Sequence, residues 1–436
     1  MAAQDKGTEY YIGLMSGTSI DGLDGVIIEI SPAATADSAN SALCFKTVAT
    51  GSLDWPVELK NTLHQLCQQG SEAERVEPMY AAANGVATYE AQLVTQLLTK
   101  AQLKASEITA IGSHGQTIRH CPQQSFSVQI DNGPLLAHST GIDAVVNFRA
   151  ADLACGGQGA PLTQAFHQKI FARQGRSCFV LNLGGIANVT ALGKDGELLT
   201  AFDTGPANTL LDYVCRTYLG TTYDKDGACA RTGSVDQESL QRLMEHTYLK
   251  KDFPKSTGRE DFNADTIAFM MQGLQPVTAR TAHTENNTST ACPAPAPANP
   301  NSPNQQRLNN VLATLTEYTA LSVINALSQI ITHYPEAMSA ERDLVLCGGG
   351  ALNPFLRQRL QALAAERQLH LHLKTCDEFG VDAKFLEAQA FAYLAYCTIH
   401  GQCLNLGKST GAQSPALLGC ICPAPHGHYA RLANGL

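Results

Sequence analysis

The stretch YIGLMSGTSIDGLDGVIIEI, from Tyr11 to Ile30, consists of an apolar run, a turn of small and hydroxyl-bearing residues, and a second apolar run. This order predicts two β-strands joined by a polar turn. The turn can present backbone N–H groups and hydroxyls to phosphate oxygens, and its carboxylates can hold a divalent cation through water. Taken alone, the stretch fits an ordinary β-hairpin equally well, because a hairpin tip also requires glycine and other turn-forming residues.

The same plan returns near the middle of the chain. SCFVLNLGGIANVTAL, from Ser177 to Leu192, is again an apolar run, a turn of small residues and an apolar run. The two stretches match in plan rather than in letters, and they form a candidate internal repeat. The repeat predicts two related lobes that face each other across a cleft.

Polar and glycine-rich segments follow predicted strands at several places, and segments of helical periodicity lie between them. In an α/β protein the loops at strand ends line the ligand crevice, so we expect these segments to converge on one site. They are Gly17 to Asp24, His114 to Thr117, Asp152 to Pro161, Gly184 to Asn188, Asp203 to Asn208, Lys255 to Asn263, and Gly348 to Asn353.

Composition narrows the class of protein. The 436 residues, 44% of them apolar, are enough for two or three domains with full cores. The formal net charge of -9 argues against a nucleic-acid-binding surface and favours a small-molecule or protein partner. The sequence shows neither the pattern of a secretion signal nor a run apolar enough to span a bilayer. It therefore predicts a cytoplasmic protein with no membrane or nucleic-acid partner.

Residues 276–306 stand apart in composition. They are rich in Pro, Ala, Asn, Thr and Ser and contain almost no large apolar side chain. Such a segment cannot bury enough apolar surface to offset the entropy of ordering, so we expect a disordered surface insertion. Helical periodicity resumes at Leu308.

These motifs carry a resemblance that spans nearly the whole chain. The strings are GLMSGTSIDGLD, GSHGQT, NFRAADLACGGQGAPL, LNLGGIAN, FDTGPAN, YDKDG, KSTGREDFN and CGGGALNP. In combination they resemble the anhydro-N-acetylmuramic acid kinase family, sugar kinases of the actin-like, two-lobed ATPase superfamily.

The resemblance implies an α/β fold of two ribonuclease H-like lobes around a nucleotide cleft that holds ATP and Mg²⁺. It implies an N-terminal lobe of residues 1–140 plus 405–436 and a C-terminal lobe of residues 141–404 that carries the insertion. The implied reaction phosphorylates 1,6-anhydro-N-acetylmuramic acid and opens its anhydro ring with water, giving N-acetylmuramic acid 6-phosphate and ADP in peptidoglycan recycling. A homodimer is also consistent with the family.

The resemblance also assigns the nucleotide side of the site. By this assignment the first turn contacts the ATP phosphates, Asp21 lies near the magnesium through water, a second loop also binds phosphate, and a triple glycine faces the adenosine. The residues are Gly17, Thr18, Ser19, Ile20, Asp21, Gly22, Leu23 and Asp24; Gly184, Gly185 and Asn188; and Gly348, Gly349 and Gly350.

On the sugar side, the family pattern makes Asp152 the general base that activates the water attacking the anomeric carbon. Such a base suits this chemistry, because water attack at that carbon frees the 6-oxygen while it is phosphorylated. From the sequence alone, Asp152 could equally cap the turn that follows it. The expected substrate-binding residues are His114, Gln116, Gln158, Gly159, Asp203 and Asn208.

Several of these residues have structural alternatives. His114, between two glycines, is also typical of a turn residue with a satisfied ring. Asp203 fits either a contact with magnesium or sugar or an Asx-turn. Lys255, Arg259 and Glu260 fit either substrate recognition or surface ion pairs.

Three residues depart from the family pattern. Asn147 replaces an aspartate, Ala207 replaces a glycine, and Lys384 lies where an acid is frequent. Asn147 keeps hydrogen-bonding capacity without charge, and Ala207 requires a backbone that tolerates a Cβ.

Two other functions compete with the implied one. One is an actin-like kinase with a different sugar acceptor, and the other is a nucleotide-dependent switch without turnover. The loop from Asp152 to Pro161, with its complete GGQGAPL string, argues against both.

Overall fold

Two mixed β-sheets with flanking helices make up the protein. The computed structural model describes residues 7–17, 20–32, 43–68, 70, 72–258, 261–276 and 303–433. The strands are β1 (Glu9–Met15), β2 (Gly22–Pro32), β3 (Leu43–Asp54), β4 (Ile108–Ser113), β5 (Gln116–Cys121), β6 (Phe126–Ile130), β7 (Ala144–Val146), β8 (Ser177–Leu183), β9 (Ile186–Leu192), β10 (Leu198–Pro206), β11 (Arg342–Cys347), β12 (Leu371–Thr375) and β13 (Cys420–Cys422).

The helices lie between these strands along the chain. They are α1 (Val57–Leu66), α2 (Val76–Ala101), α3 (Gly133–Thr140), α4 (Arg149–Ala154), α5 (Gln164–Phe171), α6 (Asn208–Val214), α7 (Ala228–Thr232), α8 (Gln237–Met244), α9 (Ala264–Ile267), α10 (Pro303–His333), α11 (Pro354–Glu366), α12 (Leu386–Ile399), α13 (Gly407–Thr410) and α14 (His428–Ala433).

The predicted repeat is confirmed by the strand orders of the two sheets. The first sheet has the order β13-β7-β4-β1-β2-β3 and the second has the order β10-β9-β8-β11-β12. In each sheet an antiparallel meander of three strands (β1–β2–β3 or β8–β9–β10) is extended from its first strand by parallel strands (β4 and β7, or β11 and β12). This shared topology is that of a ribonuclease H-like lobe, so the expected α/β fold class is confirmed.

The helix α12 joins the two lobes. It packs on β1 and β4, where a Cβ on Gly13 would lie 1.8 Å from the Ala388 carbonyl oxygen and a Cβ on Gly112 would lie 2.2 Å from that of Phe391. Glycine at both strand positions therefore lets the helix backbone approach the sheet closely. One buried apolar cluster then continues from Tyr11 of β1 through Phe391 to Val180 of β8, so both lobes share a core.

The lobe boundaries differ from those that the resemblance implies. The strand β7 pairs with β4 in the first sheet, and α12 packs on β1 and β4, although both elements fall within residues 141–404. Both elements therefore lie with the first lobe. The reason is that a sheet recruits strands and helices from distant parts of the chain, which a single cut in sequence cannot reproduce.

The prediction of disorder over residues 276–306 is wrong at its C-terminal end. Helix α10 begins at Pro303, so residues 303–306 are helical rather than disordered. Proline is well suited to a first helical turn, where its missing N–H has no intrahelical partner to lose. Residues 277–302 lie outside the described part of the chain.

Candidate active site

Buried polar side chains hold the first predicted loop, Gly17 to Asp24, in place. The Ser16 hydroxyl lies 2.6 Å from Gln116 Oε1 and 2.9 Å from the Gly22 carbonyl oxygen, and Trp55 Nε1 donates to it at 3.2 Å. Gln116 Nε2 also donates to the Gly17 carbonyl at 3.3 Å. Gln116 is fully buried, so its contacts fix the loop.

The tip of this loop has a left-handed backbone at Ile20, with φ of +59°. A β-branched residue rarely adopts this conformation, and its buried side chain here compensates for the strain. Leu23 is also buried, and its side chain packs in the core under β2. Thr18 and Ser19 lie outside the described residues.

Two carboxylates flank the loop. Asp21 is 77% exposed and lies 3.3 Å from Lys60 Nζ. Asp24 Oδ1 accepts a hydrogen bond from Ser52 Oγ at 2.5 Å and lies 3.4 Å from Lys384 Nζ. Lys384, which lies where the family pattern frequently has an acid, therefore neutralises part of the charge of Asp24.

The two other glycine loops lie against each other. Asn208 Nδ2 donates to the carbonyls of Leu183 at 3.0 Å and Gly184 at 2.9 Å, which fixes the turn between β8 and β9. A Cβ on Gly350 would lie 2.7 Å from Leu183 Cβ, so the triple glycine packs directly on this turn. Asn208, expected to bind substrate, thus belongs with the glycine loops. Ala207 has a negative φ of −115°, which tolerates its Cβ.

A row of polar side chains crosses the second sheet beside these loops. Asn182 of β8 is opposite Asn188 of β9, which is opposite Asp203 of β10. Asn182 Nδ2 donates to Glu387 Oε1 at 3.2 Å, so the row extends to α12. Burial raises the pKa of Glu387, against the opposing effect of the nearby Arg149 cation.

Arg149 organises the loop that precedes α5. Its Nη1 donates to the Gly159 carbonyl and its Nη2 to His114 Nε2, each at 2.7 Å. Since arginine has no acceptor and His114 Nδ1 lies 2.9 Å from the Gly115 carbonyl, the His114 ring must be neutral with its proton on Nδ1. Burial, aided by the Arg149 charge, lowers the pKa of His114 to about 3, which agrees with that tautomer.

Asp152 is 1% exposed, and both of its carboxylate oxygens accept hydrogen bonds. Oδ2 accepts from the Gly159 N–H and Oδ1 from Thr410 Oγ1, each at 2.7 Å. Burial raises the pKa of Asp152, while these two bonds and the Arg149 charge oppose the rise. These contacts agree with the alternative in which Asp152 caps the turn that follows it.

Asp203 lies in a second loop system that meets the first. Its Oδ2 accepts the Thr257 N–H at 2.9 Å, and the neighbouring Ser256 hydroxyl donates to Gln158 Oε1 at 3.0 Å. The Lys255 ammonium is buried and donates to the carbonyls of Tyr248, Leu249 and Lys251. Among the described residues, Lys255 therefore pairs with carbonyl groups rather than with a surface carboxylate. Arg259 and Glu260 lie outside the described residues.

The structure brings several of the predicted segments into contact: the Asp152 loop meets the Asp203 loop through Gln158 and Ser256, and the triple glycine packs on the Gly184 turn. Sequence reasoning missed the roles of Arg149, Asn182, Glu387 and Thr410. Asn182 and Glu387 carried a detectable signal, because each is a polar residue inside an apolar run. Asn147 is exposed with φ of +56°, a conformation that asparagine tolerates well, so its amide suits the local backbone.

In the described part of the chain no group of three or more His, Cys, Asp or Glu side chains is arranged to hold a metal ion. Nor does any helix there have the length and apolarity needed to cross a membrane.

Two ribonuclease H-like lobes, with three glycine loops and a polar row between them, define a two-lobed α/β protein of the actin-like ATPase class.

Comparison with known proteins identifies the family within this class. Residues 9–424 match the family model described as anhydro-N-acetylmuramic acid kinase. The chain is 38% identical over 413 residues to the anhydro-N-acetylmuramic acid kinase of Shewanella frigidimarina, covering 94% of this chain and 97% of the relative. It is 39% identical over 419 residues to that of Bordetella parapertussis, covering 95% and 96%. The chain belongs to the anhydro-N-acetylmuramic acid kinase family.

A solved structure, the ROK hexokinase from Thermus thermophilus, aligns with a TM-score of 0.35 and 14% identity over 89% of this chain and 99% of that one. A likeness of this size supports no conclusion about the present site.

Proposed function

We propose that the protein transfers the γ-phosphoryl group of ATP to the 6-oxygen of 1,6-anhydro-N-acetylmuramic acid while water adds to the anomeric carbon, giving N-acetylmuramic acid 6-phosphate and ADP. In this reaction the bond between the anomeric carbon and the 6-oxygen breaks as the bond between that oxygen and phosphorus forms. Membership of the family supports the substrate, and the reaction belongs to cell-wall recycling in the cytoplasm, where ATP is available. A homodimer is compatible with this function.

The nucleotide phosphates would lie between the loop at Gly17–Asp24 and the turn at Gly184–Gly185. The contacts of Gln116 and Asn208 support this placement, because both amides bind loop carbonyls and leave the loops held in fixed positions. Preorganised loops cost little to order when the phosphates bind. The adenosine would lie along Gly348–Gly350.

Magnesium would accompany ATP as a complex with the phosphates. Mg²⁺ keeps several waters and usually takes only one or two carboxylates from the protein, which fits the exposed carboxylate of Asp21 at the loop tip. When bound, the ion would neutralise phosphate charge. Asp21 and Asp24 are the residues that would hold it, directly or through water.

Two carboxylates are candidates for the base that takes the proton of the attacking water. The family pattern favours Asp152, but a base must touch that water, and Asp152 is 1% exposed with both oxygens already accepting hydrogen bonds. Asp203 is half-buried at the end of the polar row. Exposure therefore supports Asp203 as the base and Asp152 as the residue that holds the loop of Gln158 and Gly159 in place.

The single observation that carries the function is the meeting of these two loops. The Ser256–Gln158 hydrogen bond joins the Asp152 loop to the Asp203 loop, next to the glycine turn on which phosphate would lie. A site with a positioned carboxylate beside a phosphate loop suits coupled hydrolysis and phosphoryl transfer.

The test is ADP release with magnesium, ATP and 1,6-anhydro-N-acetylmuramic acid, with the product identified by mass. We expect a product heavier than the sugar by one phosphoryl group and one water. Asp203→Asn should lower kcat by about 100-fold or more with little loss of stability, whereas Asp152→Asn should also lower the melting temperature. Turnover only with other sugars would assign a different acceptor, and slow ATP hydrolysis that no sugar stimulates would favour the switch. A stable Asp152→Asn variant without activity, beside an active Asp203→Asn variant, would return the role of base to Asp152.

A further inference from the structure

A ligand-sized cavity lies in the second lobe, between α10 and the segment from Met244 to Lys255. Its volume is about 700 Å³, within the range of pockets that hold small molecules. No residue of the three glycine loops lines it. Along α10 the lining runs from Ser322 to His333, about 16 Å of helix. We call this cavity the α10 groove.

One wall of the groove is a polar stripe on α10. The hydroxyls of Ser328 and Thr332 donate to carbonyls of their own helix and keep their acceptor lone pairs. Asn325 and Gln329 lie on the same face, and within the described chain their side-chain amides form no hydrogen bond. These amides and hydroxyls can bind a ligand that carries several hydroxyl groups.

The groove also carries unpaired positive charge. Lys250 and Arg367, which follows α11, both line it. Neither cation has a carboxylate within 4.0 Å in the part of the chain that the structure describes. Asp252 is the acidic residue of the lining, against these two cations and the buried ammonium of Lys255. The net positive charge of the lining therefore favours the binding of an anion.

An aromatic surface completes the lining. The Phe253 ring stacks on Phe202 with centroids 4.9 Å apart, and it forms a T-shaped pair with the His333 ring, with centroids 5.3 Å apart. Such a fixed ring offers an apolar surface to one face of a sugar ring, while the stripe on α10 offers hydrogen bonds to its hydroxyls.

We propose that the α10 groove is a second binding site, for a phosphorylated sugar. The phosphate, with a charge of about −1.5 to −2 at pH 7, is bound by the cations of the lining, Lys250 and Arg367. The sugar ring lies on Phe253 and hydrogen-bonds to Asn325 and Gln329.

The groove is connected to Asp203 through one segment. Thr204 lines the groove and follows Asp203 in β10. The Tyr248 hydroxyl donates to the Asp203 carbonyl at 2.7 Å, and the Asp203 N–H donates to the Lys255 carbonyl at 3.1 Å. A ligand that presses on residues 249–255 therefore shifts the backbone that positions Asp203. This coupling, unlike the binding itself, rests on the proposed function.

The binding test is titration calorimetry with N-acetylglucosamine 6-phosphate as the probe, in the presence of saturating 1,6-anhydro-N-acetylmuramic acid to occupy the cleft. Inorganic phosphate and N-acetylglucosamine serve as the charge-only and sugar-only probes. We expect one site on the wild type, at least about tenfold weaker binding in Lys250→Ala/Arg367→Ala, and a similar loss in Asn325→Asp, which places a negative charge in the groove. Lys46→Ala, an exposed lysine of β3, is the matched control and should bind as the wild type does.

Three results would overturn the proposal: no binding to the wild type, equal affinity in both groove variants, or loss of binding when the cleft sugar is present. Inorganic phosphate binding as tightly as the phosphorylated sugar would also overturn it, because the sugar would then contribute nothing. For the coupling, the probe should change KM for the cleft sugar about threefold or more in the wild type and not in the double variant. Absence of all turnover would refute the proposed function, yet calorimetry would still decide the binding.

Discussion

The hydroxyl of Thr410 donates a hydrogen bond of 2.7 Å to Oδ1 of Asp152, a residue 258 positions earlier in the chain. Thr410 ends α13, and the Thr410 carbonyl in turn accepts the Gln158 N–H at 2.8 Å. The C-terminal part of the chain thus holds both the carboxylate and the loop that it orders.

Thr410→Val should remove the donor without changing the shape of the side chain. A buried carboxylate oxygen would lose its partner, so we expect a loss of about 1–3 kcal/mol in the free energy of unfolding, measured by urea denaturation. The kcat should fall as well, because the loop at Gln158 is no longer fixed. Thr316→Val is the matched control, since Thr316 is equally buried but donates only to a carbonyl of its own helix. Equal losses in the two variants would contradict a special role for the Thr410–Asp152 bond.

Neighbouring glycines of the third loop should respond differently to alanine. A Cβ on Gly349 meets no atom within 4 Å, whereas a Cβ on Gly348, where φ is +76°, would lie 2.3 Å from Asn182 Oδ1. Gly349→Ala should therefore keep its stability within about 0.5 kcal/mol and raise KM for ATP about tenfold, because the new methyl occupies space proposed for adenosine.

Gly348→Ala serves as the contrast and should lower the melting temperature. An unchanged KM for ATP in Gly349→Ala would place the adenosine elsewhere.

Much of this fold could be predicted from local patterns. The strand–turn–strand plan at Tyr11–Ile30 and its return at Ser177–Leu192 both form as expected, because alternation of apolar runs and turn residues is encoded within about 20 residues. The places of β7 and α12 could not be predicted in the same way, since strand pairing and helix docking depend on distant contacts. Gly13 and Gly112 were a usable signal, because glycine inside a strand marks close approach of another backbone.

The site shows the same contrast between features set by local sequence and features set by distant contacts. Glycine loops and polar strand ends could be read from the sequence as candidate site segments, because turn chemistry is local. The partners of Asp152 and His114 did not follow from spacing, since Thr410 and Arg149 approach them only in the folded chain. Burial, the observation that distinguishes Asp152 from Asp203, is a property of the folded chain as a whole.

His114 should remain neutral across the working range of the protein. Its pKa is lowered to about 3 by burial and by the charge of Arg149, so protonation would require far more acid than a free histidine does. Nitrogen NMR of the labelled protein should show one ring with its proton on Nδ1 and no titration between about pH 5 and pH 9. Loss of that signal in His114→Gln would assign it. A ring that titrates near pH 6.5 would contradict the Arg149–His114 hydrogen bond.

The buried carboxyl of Glu90 should make stability depend on pH. Glu90 is fully buried in α2, where its Oε1 accepts from Ser113 Oγ at 2.5 Å, and burial, with the nearby Asp131, raises its pKa from 4.5 to about 8. Between these values the unfolded chain has lost the proton that the folded chain keeps, so the free energy of unfolding falls as the pH rises through this window. Glu90→Gln keeps a neutral acceptor for Ser113 and should flatten the fall, making the variant more stable than the wild type at about pH 8.5 and nearly equal to it at about pH 4.5. Urea denaturation at several pH values measures this, with the exposed Glu77→Gln of the same helix as the control. Parallel curves for the wild type and Glu90→Gln would show that Glu90 is already ionised in the folded protein.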